Sequence, residues 1–104
     1  MTSKIKSLGY TATDKVSCST SIAIPSSATE CYVVVYVAGT ASGIAMTAIV
    51  PLHTGMALSI YGGSAGTASY FDATLSADQS FYVRNVIWYN QARTAESTYQ
   101  LFYR

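Results

Sequence analysis

Charge is what this chain has least of. Only 11% of its 104 residues are Asp, Glu, Lys or Arg, less than half the share of about 25% in an ordinary soluble domain. A net charge of +1 and a pI near 7.7 supply no basic field for holding phosphates, which argues against nucleic acid as a partner. Histidine is reduced to His53, and cysteine to Cys18 and Cys31. That is too few ligands for a zinc site and too few bridges for a disulfide framework, so no metal or cofactor is expected. The two thiols are read as buried and unbridged, with a single bridge as the alternative. No apolar run follows Lys4 and Lys6, so a secretory signal is not expected here. Windows of helical length show no sustained apolar stripe at i, i+3, i+4 and i+7, which removes the helical classes.

What remains is apolar and hydroxylated. Half of the residues are hydrophobic, which excludes disorder, and the length suits one core, a single domain over 1–104. Short apolar or alternating runs sit between Ser, Thr, Gly, Pro and Asp clusters. The pattern predicts an all-β, antiparallel β-sandwich of about eight strands. Strands are expected at 3–8, 15–19, 21–24, 31–38, 44–50, 57–61, 69–75, 81–89 and 97–103. Pro25 and Pro51 end strands because proline cannot donate to a ladder, and Ser76-Ala-Asp-Gln79 marks a hairpin.

From Cys31 to Phe71 there is no charged residue, and Cys31 to Val50 is long enough to span a bilayer. Yet Tyr32-Val-Val-Val-Tyr-Val37 is β-branched and aromatic, and Gly39 to Gly43 gathers turn formers at the centre. No Lys or Arg flanks either end. Two strands and a turn fit better than a membrane helix, so membrane insertion is not expected.

Alternation places Cys31, Val33, Val35 and Val37 on one face of a strand and Tyr32, Val34, Tyr36 and Ala38 on the other, both apolar. That strand should be central and covered twice. Phe81, Val83, Ile87 and Tyr89 oppose Tyr82, Arg84, Val86 and Trp88 in the same manner, with Asn85 interrupting. Outward apolar positions with so few charges are either wetted by Tyr hydroxyls, Ser and Thr or buried against copies of the same chain; the second is favoured and predicts a closed homo-oligomer.

Catalytic signals are weak. Gly62-Gly-Ser-Ala-Gly66 matches the nucleophile elbow G-x-S-x-G, but its flanks read as strands and His53 precedes Ser64 where the elbow's histidine follows. It is read as a loop tip. Asp14, Glu30, Asp72, Asp78 and Glu96 are scattered, although a long-range pair such as Asp72 with Glu96 could meet in space. An enzyme is not expected. Aromatics concentrate from Tyr61 onward, and Tyr and Trp can stack on sugar rings while Arg and Asn hold hydroxyls. The ligand-binding candidates are therefore Trp88, Tyr89, Asn90, Arg93 and Tyr61, set against the plainer reading that such aromatics fill cores and subunit contacts.

Ile22-Ala-Ile-Pro-Ser-Ser-Ala-Thr29 before an apolar strand, Thr74-Leu-Ser-Ala-Asp-Gln-Ser80 before Phe81, and a closing Tyr99-Gln-Leu-Phe-Tyr103 resemble small β-sandwich proteins of bacteriophage particles, such as tail-fibre heads and capsid-decorating proteins. The resemblance covers most of the chain. It implies a jelly-roll-like, trimeric virion component that binds a host-surface glycan or another particle protein. It carries over no binding residue, because its members read their targets through differing loops. The expected role is a non-enzymatic structural or adhesion module of a phage or phage-derived particle. The alternative is a carbohydrate-binding or adhesin domain at a bacterial cell surface.

Overall fold

The structure is a computed structural model that describes residues 8–37, 45–61 and 69–104. Ten strands follow in chain order: β1 (Thr11–Ala12), β2 (Val16–Ser17), β3 (Ile22–Ala23), β4 (Glu30–Tyr36), β5 (Ala45–Pro51), β6 (Ala57–Tyr61), β7 (Tyr70–Leu75), β8 (Ser80–Trp88), β9 (Gln91–Ala92) and β10 (Thr98–Tyr103). A 3-10 turn, Thr94–Glu96, precedes β10. Among the described residues no helix is long and apolar enough to cross a membrane. The expected strand at 3–8 falls mostly outside the described residues, as do the glycine-rich stretches 39–43 and 62–66.

All pairings are antiparallel and form two sheets, in the orders β1-β10-β4-β5 and β3-β8-β7-β6. Strands β1 and β2 run along the same side of β10, opposite its two ends. In the same way β3 and β9 share the side of β8 away from β7. Each sheet therefore has four strand positions, and the molecule is an eight-position β-sandwich. Strands β1 and β2 lie beside β10 and β3 beside β8, while β4 and β5 form a hairpin and β6, β7 and β8 a plain meander.

Both sheets feed one core. Strand β4, central between β10 and β5, turns Cys31, Val33 and Val35 inward with no exposure, and Phe71, Ala73, Phe81, Val83 and Val86 of the second sheet meet them. Burying a side chain the size of Phe81 contributes about 2–3 kcal/mol. Tyr99 crosses this core from β10: its hydroxyl donates to the carbonyls of Thr20 (2.5 Å) and Phe81 (3.2 Å). A buried phenol is thereby satisfied, and the two sheets are tied through it. Burial pushes its pKa well above the ordinary tyrosine range.

Over β4 and β10 the outer face of the first sheet is closed by the chain itself, while Ile49 of β5, opposite Tyr32 on this same face, stays exposed. Val34 and Phe102, both 4% exposed, cluster with Tyr10, Tyr32 and Tyr36. Tyr32 meets Phe102 edge-on at 6.0 Å, Lys15 sits 3.8 Å over the Tyr36 ring and Arg104 4.4 Å over the Tyr10 ring. Glu30 pairs with Arg104 and accepts from the Tyr10 hydroxyl. The doubled apolar faces of β4 therefore have their second cover within one chain. Exposed apolar surface is found instead at Ile49, Leu58 and Tyr61 of β5 and β6, and at Leu8 and Tyr89.

Strand β8 corrects the sequence reading of its faces. Asp72 pairs with Arg84, but Tyr70 pairs with Ile87, so β8 carries one extra residue there, a β-bulge. Asn85 takes φ +50° at that point, a left-handed conformation that asparagine tolerates better than most residues. The extra residue flips the alternation. Val86 is buried and Trp88 packs against the core on the face that holds Phe81 and Val83, while Ile87 turns outward. Simple alternation had put Val86 and Trp88 with Tyr82 and Arg84.

Candidate functional site

The five aromatic and polar candidates do not share a surface. Trp88 is half-buried on the core side of β8. Tyr89 and Asn90 are not strand residues: they form the two-residue link between the paired Trp88 and Gln91, at φ +49° and +64°. Positive φ at both central positions is the type I′ geometry that matches strand twist. The Tyr89 amide donates to Ser69 Oγ at 2.9 Å, and its ring meets Trp88 edge-on at 5.1 Å. Arg93 is held locally by Gln91 Oε1 (2.6 Å) and Glu96 (3.8 Å), and its Nε is buried without a hydrogen-bond partner. Tyr61 projects from β6 on the opposite, outer face of the sheet, 61% exposed.

That outer face carries the more organised constellation. Residues directly opposite in an antiparallel pair point to the same side, so the register lays out rows across the sheet. One row is Tyr61 on β6, Tyr70 on β7, Ile87 on β8 and Ala92 on β9. The next is Ser59, Asp72 and Arg84. The Tyr61 and Tyr70 rings are 5.8 Å apart at 53°. Asp72 accepts from Ser59 Oγ on one carboxylate oxygen (2.7 Å) and from Asn85 Nδ2 on the other (2.8 Å). The bulge brings this about by turning Asn85 back toward β7. Arg84 lies over the Tyr82 ring at 4.4 Å.

Of these residues the sequence reading named Tyr61 alone as a ligand candidate. A signal was present: Ser59-x-Tyr61 and Tyr70-x-Asp72 mirror each other across a hairpin, but only the register shows that Ser59 meets Asp72 and Tyr61 meets Tyr70. The supposed long-range pair does not form, since Asp72 is bonded to Ser59 and Asn85 while Glu96 lies beside Arg93.

Reactive groups are quiet. Cys18 and Cys31 are free and buried, and burial pushes their thiols up to about 11 and about 12, which keeps them protonated and poorly nucleophilic at neutral pH. No group of three or more metal-ligating side chains occurs among the described residues. His53 is an exposed turn residue whose carbonyl accepts from Met56, with Gly55 at φ +87° completing the turn. Ser64 lies outside the described residues. No family model matches the chain, and no curated protein or solved structure matches it.

Proposed function

We propose that this chain is a non-enzymatic structural or adhesion module of a phage or phage-derived particle, such as a tail-fibre head, receptor-binding or decoration protein, assembled as a closed homo-oligomer in the virion. The observation that carries the reading is the side of the sandwich formed by β5 and β6. Among the described residues these are the edge strands of the two sheets, they are seven and five residues long, and neither carries a charged side chain. Ile49 is 61% exposed on β5 and Leu58 38% on β6. Lone sandwiches blunt such edges with charges, bulges or very short strands. The opposite side follows that rule, since β1, β2 and β3 are two residues each. A long neutral edge is what an assembling subunit presents to its copy, and a trimer is the arrangement that the phage resemblance implies.

Light scattering tests this directly. The expected mass is three times 11.1 kDa at micromolar concentration, falling to one subunit in Ile49→Lys with the fold intact by circular dichroism. A single-subunit mass for the parent chain, or a gene lying far from capsid, tail and baseplate genes, would count against it.

The second reading, a carbohydrate-binding or adhesin domain at a bacterial cell surface, is favoured by a different observation, the tyrosine row beside Asp72. It predicts sugar binding by an isolated subunit.

A further inference from the structure

The outer face of the second sheet has the parts of a sugar seat. We propose that Tyr61, Tyr70 and Asp72 form a binding site for a neutral pyranoside, with Asn85 and Arg84 as donors at its rim; this rests on the adhesion part of the reading above and names what that adhesion would grip.

The first part is a platform. Tyr61 and Tyr70 face outward side by side, and an aromatic face accepts the C–H side of a sugar ring while the phenolic hydroxyl stays wet. The second part is an oriented acceptor. Each oxygen of Asp72 already receives one hydrogen bond, and an ionised carboxylate has about four accepting positions. Two neighbouring hydroxyls of a sugar therefore find a carboxylate whose rotation is already fixed, so little side-chain entropy is lost on binding.

Spacing joins the two parts. Tyr70 and Asp72 are two residues apart on one strand, about 6.7 Å along the sheet. A pyranose centred over the ring spans that distance with one hydroxyl and one hydrogen bond.

Charge selects the ligand class. A carboxylate beside tyrosines would otherwise suit an ammonium group. Arg84 stands opposite Asp72 in the register, so among the described residues these rows carry one charge of each sign, and the guanidinium offsets the pull of the carboxylate on a cation. Arg84 and Asn85 instead add donors for the oxygens of the sugar. Among the described residues Asp72 is the single carboxylate in the rows of this face. Glycoside cleavage ordinarily needs two, roughly 5–9.5 Å apart, so the site is built to hold a sugar and not to cut it.

The test is a backbone amide titration of the full chain with the methyl glycosides of glucose, galactose, mannose and N-acetylglucosamine, each alone. At least one is expected to shift Tyr61, Tyr70, Asp72 and Asn85. Tyr61→Ala and Asp72→Ala should each weaken that binding by about tenfold, with solution mass unchanged in both and the unfolding midpoint unchanged in Tyr61→Ala. Silence toward all four glycosides, shifts confined to Trp88–Arg93, or unchanged affinity in Tyr61→Ala would overturn the proposal. Those outcomes leave the assembly reading to its own mass measurement, and a monomer that still binds sugar at Tyr61 would sink assembly while keeping the seat.

Discussion

The two outer faces of this sandwich are built from similar residues and finished differently. On the first sheet, outward Tyr32, Val34, Tyr36 and Phe102 are gathered under Tyr10 into a second small core, rimmed by Lys15, Glu30 and Arg104. On the second, outward Tyr61, Tyr70 and Ile87 remain a row beside the bonded Asp72, with nothing from the described chain laid over Tyr61. Tyrosine on a strand therefore does not by itself say whether a face is core or contact surface. What decides is whether another segment of the same chain can reach it. Residues 8–15 reach the first face through Tyr10 and Lys15.

That contrast is open to measurement by urea unfolding. The largest effect should come from Phe102→Ala, which empties the covered face and is expected to cost about 3 kcal/mol, as in a true core. A cost near zero would show that the Tyr10 cluster is loose cover. Next is Tyr99→Phe, which removes the hydroxyl shared by Thr20 and Phe81 and so loosens the tie between the sheets that carry the two faces. About 1.5 kcal/mol is expected, because at least one buried carbonyl loses a donor; an unchanged midpoint would mean that water or another donor replaces it.

Acid should act on the covered face as well. Arg104, hydrogen-bonded to Glu30, holds that carboxyl below the ordinary glutamate range, so the unfolded chain binds the proton more tightly than the folded one. The stabilisation is complete above the pKa of an unfolded glutamate and is lost as pH falls through the lower folded value. Asp78, held down by Ser76 and Ser80 in the β7–β8 turn, contributes with the same sign. Glu30→Gln should therefore flatten part of the acid limb of stability against pH, and an unaltered slope would show that the pair is solvated. The smallest effect is expected on the open face, where Tyr61→Ala should stay within about 0.5 kcal/mol of the parent. A larger loss would mean that this tyrosine is structural cover and not a free platform.

Much of the fold was legible in the sequence. The long apolar runs gave β4, β5, β7, β8 and β10 nearly to the residue, because their alternation and their Pro and Asp punctuation are local signals. Two local exceptions hid the layout of the second sheet's outer face. The bulge at Asn85 inverted the faces of Val86 and Trp88, since a strict period of two cannot show an inserted residue. The turn at Tyr89 and Asn90 lacks the glycine that marks most type I′ links, so the strand read one residue too long. Asp72 reads as one of five scattered carboxylates, because its partners Ser59 and Asn85 are each thirteen residues away. The outer cover from Tyr10 was illegible for the same reason: its contacts with Val34 and Phe102 depend on how the wrapped ends of the chain come together.

The central proposal is that another copy covers the neutral β5 and β6 edge, Ile49 included, while the chain itself covers β4 and β10 on the first outer face. Amide hydrogen exchange on the native protein at micromolar concentration measures this directly. The outward-pointing amides of β5, those not bonded to β4, are expected to exchange slowly in the parent and to become fast in Ile49→Lys. Fast exchange at those amides in the parent chain would contradict the account.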